Sequence, residues 1–242
     1  MKLSKKKNKG HTINADNASW TFDNDVWRNF DKHINNSIPL YLLCHKLGLE
    51  TSDFFLEKNS KVLDLGCSTG TFINKLNLRH KNKNLKIEGY DAILKMVKAA
   101  KKNNKKNKNV KIFNKDIVKN KLPNKLDFIS SFFTLSFIKP SHRQNVFNKI
   151  FKSLNWGGGF IFFDKVRAPD ARFQDMMSQI YMNYKLDRNF SPDEILNKTN
   201  SLKGVLEPYS TKENFLFLKR AGFKDHMTIF KCITFEGFLA IK

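Results

Sequence analysis

Between Lys61 and Phe72 the chain reads KVLDLGCSTGTF, and two unrelated chemistries share these residues. Gly66-Cys67-Ser68-Thr69-Gly70 fits the G-x-S-x-G turn, which presents a serine hydroxyl, here Ser68, as a nucleophile. Read from Asp64, the same residues are an acid followed by two glycines, Gly66 and Gly70, with Ser68 where a third glycine would complete the pattern. Glycines lack a Cβ and let backbone approach a ligand closely. A helix opening near Thr71 would aim free N–H groups at a carboxylate.

The two readings differ in what they require elsewhere. A serine nucleophile needs a base and an oxyanion hole, usually helped by an upstream Gly-rich loop. Gly10 and Gly48 are isolated, and the 60 residues before Lys61 are helical in pattern where they have one. The order Ser68, Asp164, His226 is available, but any chain with six His offers something similar. The ligand turn requires acids at later strand ends. Asp91 closes "IEGYD", 27 residues after Asp64, where it would accept hydrogen bonds from ribose hydroxyls. "NKDIV" supplies Asp116 to read an adenine amino group and Ile117 to pack on its ring. An adenosyl ligand with an amino-acid end answers all of these, so S-adenosyl-L-methionine (SAM) is the expected cofactor. The dinucleotide fingerprint G-x-G-x-x-G is absent.

These acids need a scaffold that brings strand ends together. Strands are expected over Lys61–Leu65, Leu85–Tyr90, Val110–Phe113, Leu126–Ser131 and Phe160–Phe163. Helices are expected over Thr71–Leu78, Ile93–Asn103 and Arg143–Leu154, the last stopped by Asn155-Trp156-Gly157-Gly158-Gly159. Such alternation predicts an α/β fold: a doubly wound, mostly parallel, seven-stranded Rossmann-like sheet. Residues 225–241 add a C-terminal antiparallel hairpin, after a helix at Thr211–Ala221. Residues 20–56 form a helical N-terminal lid broken at Pro39, with Ile34, Ile38, Tyr41, Leu42 and Leu49 making its apolar faces. Residues 169–204 form a polar helical insertion, residues 17–242 one domain, and residues 1–16 a disordered basic tail.

Composition narrows the classes further. An apolar content of 40% with 23 Phe indicates a folded chain. No apolar run reaches the roughly 18–20 residues of a membrane span, and no apolar segment follows the basic start, so no secretory signal is expected. Cys44, Cys67 and Cys232 lie far apart without a C-x-x-C, which fits a reducing cytoplasm and neither a disulfide framework nor a metal site. Net charge is +22, and residues 75–125 carry 17 Lys/Arg against three acids. That is either an electrostatic footprint for RNA or Lys/Asn-rich composition on solvated surfaces.

Longer stretches resemble a known family. "WTFD" (Trp20–Asp23), "SIPLY" (Ser37–Tyr41), "LDLGCSTG", "FTLSFI" (Phe133–Ile138), "KIFKSLNWGGG", "SPDEILNKTNSL", "LEPYSTKENFLFLKRAGF" and "FKCITFEGFLAIK" follow in order as in the carboxy-S-adenosylmethionine synthases, enzymes of the methyltransferase fold. The resemblance implies a homodimer in which SAM's methyl carbon loses a proton and captures carbon dioxide from prephenate. The resulting carboxy-SAM serves a partner enzyme that modifies a tRNA wobble uridine. It also implies that Tyr41, Gly66, Asp91, Asp116 and Ile117 line the SAM pocket.

Two positions depart from the family. Phe132 stands where it has Asn, and Lys198-Thr199 where it has Lys-Arg. A guanidinium grips a carboxylate bidentately; the Thr199 hydroxyl carries no charge. The departure favours ordinary SAM-dependent methyl transfer, with Phe132 as an apolar wall beside the sulfonium. Carboxy-SAM synthesis is the alternative, with Lys198, Lys185 or Arg188 as substitute cations. A non-catalytic SAM-binding or RNA-binding protein is the third reading. The acceptor is a small molecule of unknown identity.

Overall fold

The computed structural model describes residues 29–242 together with Ala18. The expected tail at residues 1–16, and the part of the lid before Asn29 with its "WTFD", lie outside the described residues.

Seven strands form one sheet in the order β3-β2-β1-β4-β5-β7-β6. β1 (Lys61–Leu65), β2 (Lys86–Asp91), β3 (Val110–Asn114), β4 (Leu126–Phe132) and β5 (Leu154–Lys165) are parallel, while β6 (Asp225–Cys232) and β7 (Phe235–Ile241) are the expected antiparallel hairpin. After β1 the chain winds outward to β2 and β3, and after β4 it winds the other way. The strand order therefore reverses between β1 and β4, and a crevice opens beyond their carboxyl ends.

Side chains alternate between the faces of the sheet. Phe160 and Phe162 of β5 join the layer beneath α5 (Pro140–Ser153) and α8 (Thr211–Ala221). Ile161 and Phe163 join the opposite layer, beneath α2 (Tyr41–Ser52), α3 (Thr71–Arg79) and α4 (Leu94–Asn103). The described part of the lid holds two helices, α1 (Phe30–Ser37) and α2, separated by Leu40 in the left-handed region at φ 55°, as a break at Pro39 predicts. The insertion supplies α6 (Ala171–Leu186) and α7 (Pro192–Leu202). Ser191 with Glu194 and Ser210 with Glu213 form capping boxes that start α7 and α8, satisfying N–H groups the helices cannot bond themselves.

Two expectations are corrected. Leu42 does not contribute to the lid's buried face: it is 57% exposed. The glycines after α5 do not stop that helix. α5 ends at Ser153, and Leu154, already extended, begins a strand of 12 residues that runs through Gly157-Gly158-Gly159. A Cβ at Gly159 would come within 2.9 Å of the Phe55 ring, so the run without side chains makes room for that ring against the sheet.

Candidate functional site

The crevice holds a cavity of about 1320 Å³, above the roughly 300–1,000 Å³ usual for one small ligand. Its floor is the turn after β1. Gly66 and Cys67 both donate backbone N–H to the Tyr90 carbonyl, at 2.8 and 3.0 Å, which tethers the turn to β2. Gly66, Ser68 and Gly70 all have positive φ, at 71°, 51° and 74°. At Gly66 a Cβ would overlap the Thr134 side chain, so only glycine fits.

Asp91 sits at the end of β2 with both carboxylate oxygens on backbone N–H groups: Oδ2 on Ser68 and Oδ1 on Ile93, each at 2.8 Å. It thereby joins the glycine turn to the start of α4. Each oxygen keeps a second lone pair for a ligand hydroxyl. Burial pushes its pKa up, against those two bonds. Asp64 is buried beneath and accepts from Ser130 Oγ at 2.7 Å; burial, opposed by that bond and aided by Asp91, lifts its pKa to about 7. Asp116 takes the Val118 N–H on Oδ1 at 2.8 Å, and Ile117 packs beside it. Tyr41 opens α2 with its ring 5.8 Å from that of Phe133, its hydroxyl pKa pushed up first by burial and then by Asp31 and Asp64. Phe132 stacks on Phe163 at 5.2 Å and packs on Phe72 and His45, so it is an aromatic wall and a packing residue at once.

Tyr41, Asp64, Gly66, Ser68, Asp91, Asp116, Ile117, Phe132, Lys198 and Thr199 all line this cavity. Gly70 does not; what comes close there is α4, since a Cβ would meet Asn104 at 2.6 Å and Ala100 at 3.1 Å. Its freedom lets two helices approach, not a ligand. The Ser68 hydroxyl points to the Met96 thioether at 3.6 Å, a weak acceptor that cannot act as a base.

The far wall belongs to β5 and the insertion. Lys165 and Lys185 place their ammonium groups 5.0 and 4.4 Å from the centre of the Tyr181 ring. Lys198 Nζ lies 2.6 Å from His33 Nε2 and 3.2 Å from Ser37 Oγ of α1. Withdrawal from water, reinforced by the neighbouring lysines, pulls Lys185 down to about 8 and Lys198 to about 7; burial and Arg167 lower Lys165. Thr199, by contrast, donates its hydroxyl to Ile195 O of its own helix at 2.7 Å. Arg188 stacks over the Tyr184 ring at 5.1 Å and does not line the cavity. Tyr181, Lys165, His33 and Asp31 escape sequence reasoning because they reach the cavity from distant elements. Asp31 accepts from Thr69 Oγ1 at 3.0 Å and from Thr71 Oγ1 at 3.2 Å, closing α1 onto the glycine turn.

Carboxylates thus gather at the ends of β1 to β3, with Lys115 and Lys119 next to Asp116, and ammonium groups line the opposite wall, where Asp164 is buried beside Lys165. The first end suits a sulfonium, an ammonium or ribose hydroxyls; the second suits carboxylates. The carboxylate floor, the glycine turn and the aromatic wall fit SAM. Among the described residues no His, Cys, Asp and Glu cluster to hold a metal ion. No described helix is long and apolar enough to cross a membrane.

Known proteins resemble this chain in sequence and fold. A methyltransferase-domain family profile matches residues 62–158. The carboxy-S-adenosyl-L-methionine synthase of Staphylococcus epidermidis is 34% identical over 95% of this chain and 100% of its own length. The enzyme of the same name from Campylobacter lari is 35% identical over 91% of this chain and 94% of its own. Among solved structures, a SAM-dependent methyltransferase of Aquifex aeolicus superposes with TM-score 0.58 at 20% identity, over 87% of this chain and 97% of that one. Human N-acetylserotonin methyltransferase, solved with SAM, gives 0.58 at 17% identity, over 90% of this chain and 57% of that one.

Proposed function

The chain belongs to the carboxy-S-adenosyl-L-methionine synthase family of SAM-dependent transferases, and from that premise we propose that it makes carboxy-SAM from SAM and prephenate. The observation that carries this reading is the convergence of Lys165, Lys185 and Lys198 on one wall of the SAM cavity. Like charges drawn out of water near one another are costly, and a bound anion relieves the cost. Among the described residues, Lys165 and Lys185 form no ion pair with a carboxylate. A methyl acceptor requires no such wall; a carboxylate-bearing second substrate does. In this reading the lysines supply the charge that Thr199 lacks.

SAM brings a methyl carbon made acidic and electrophilic by the sulfonium. The chain's residues bind and orient. Asp91 and Asp116 hold the nucleoside, the glycine turn and the N-terminus of α3 receive the methionine carboxylate, and Phe132 with Phe72 and His45 shields the sulfonium end from water. The lysine wall then fixes a carboxylate opposite the methyl group, where proximity replaces a bimolecular encounter.

The aromatic wall at Phe132 also suits plain methyl transfer, since an aromatic face stabilises a sulfonium. Mass spectrometry of the small molecules released from purified protein, before and after incubation with SAM and prephenate, separates the two. The expected product is carboxy-SAM, formed only when prephenate is present. SAM and S-adenosylhomocysteine alone would overturn carboxylation in favour of methyl transfer.

A further inference from the structure

Beyond the cavity, the molecule has a second charged feature on the edge of the sheet formed by β3. The 17 cations of residues 75–125 face three acids, Glu88, Asp91 and Asp116. Asp91 is buried and the other two are half-buried, each held by hydrogen bonds. Glu88 accepts from the Tyr90 hydroxyl at 3.0 Å, Asp91 is held by Ser68 and Ile93, and Asp116 by Val118. Five lysines face solvent: Lys98, Lys101 and Lys102 on α4 and Lys105 and Lys106 just after it are all exposed. None of these five forms an ion pair with a described residue.

We infer that the outer face of α4, with the residues just after it, binds the phosphodiester backbone of RNA. Lysine is depleted at the core of protein–protein interfaces, which are built on aromatic and apolar anchors. This face carries no aromatic anchor: its exposed large apolar residues are Leu78 and Leu94, at its margins. The asparagines of KKNNKKNKN are tied into the fold, Asn103 donating to Thr69 O, Asn104 to Gly70 O, Asn107 to Asn104 and Asn109 to Leu85 O, so the lysines are what this run offers outward, as contacts to phosphate that carry no sequence information require. This binding is independent of the carboxylation reading and does not require it.

The test uses the full chain and a fluorescently labelled 20-base-pair RNA duplex, with fluorescence anisotropy across a salt series. Binding is expected to weaken steeply with salt, by about 0.7–0.9 in log–log slope per phosphate contact. The triple variant Lys98→Glu, Lys102→Glu, Lys105→Glu should weaken binding at least tenfold and reduce the slope by about 2 to 3. The variant Lys212→Glu, Lys219→Glu, Lys224→Glu, in and just after α8 near the β6 edge, changes net charge equally and should change affinity less than threefold. Equal weakening by both variants would mean bulk charge and overturn the site, as would no binding at low salt. A Lys98→Gln, Lys102→Gln, Lys105→Gln variant gives the same comparison if reversal perturbs folding. An acidic protein as the true partner would appear as binding to a polyglutamate probe and none to the duplex, which also overturns the RNA assignment.

Discussion

At the scale of single residues, Asp91 does two tasks with one carboxylate. It ties Ser68 and Ile93 together through their backbone N–H groups, and it faces the cavity, where we propose that it receives ribose hydroxyls. Hydrogen bonds to a charged group are worth about 1.5–3 kcal/mol each. Asp91→Ala should therefore weaken SAM binding by two orders of magnitude or more and lower the melting temperature as well. Asp91→Asn keeps one acceptor oxygen, so it should recover part of the stability but little of the affinity. Calorimetry on both variants checks this, and unchanged SAM affinity in Asp91→Ala would sink the pocket assignment. Ser68 stands beside it in the opposite sense. Its left-handed backbone, not its hydroxyl, is what the turn uses, and a non-glycine residue there stores of order 1–3 kcal/mol of strain.

At the scale of elements, the cavity is closed by helices that touch across it. α1 reaches the glycine turn through Asp31 and reaches the insertion through two contacts: the Tyr181 hydroxyl donates to Ser37 O at 2.8 Å, and Lys198 lies against His33. Removing the first link should loosen the lid without emptying the floor. In Tyr181→Phe, amide exchange over Phe30–Ser37 should speed up severalfold while exchange over β1 and β2 stays unchanged. A lid that exchanged at the parental rate would show that the bond to Ser37 does not hold it. The strand–helix alternation and the acids at strand ends were legible in the sequence because local periodicity and turn chemistry create them. The lysine wall was only half legible. Lys185 and Lys198 stood out beside Thr199, yet nothing local marks Lys165 or Tyr181, which meet only when β5 and α6 pack. The glycine run after α5 misled for the complementary reason: a helix stop and a strand accommodating Phe55 look alike until Phe55 has a place.

At the scale of the whole molecule, the cavity leaves a signature in how stability responds to pH. Lys185 and Lys198 ionise near 8 and 7 in the folded chain, against 10.5 for an ordinary lysine. Above those folded values the unfolded chain holds protons that the folded chain has released, so stability rises with pH across that interval. Other buried groups titrate elsewhere. His45, lowered by burial to about 3, and Asp164, raised by burial to about 6, have finished below pH 7, and Asp64 is finishing there. Cys44, pushed up to about 12, begins to oppose the trend only above the ordinary thiol value of 9.0. Between about pH 7 and 9 the lysine pair therefore dominates these shifted groups, with Lys165, Arg167 and His33 as its charged or titratable neighbours. Denaturant unfolding of the ligand-free chain should show stability rising across that window, and the rise should flatten in Lys185→Met, Lys198→Met. Under the proposed carboxylation, prephenate binding runs the opposite way, because the lysines grip a carboxylate only when protonated; its affinity should fall as pH climbs through 7 and 8. Equal slopes in parent and double variant would remove the lysine wall as the source. Prephenate affinity that held constant to pH 9 would show that the carboxylate is bound elsewhere.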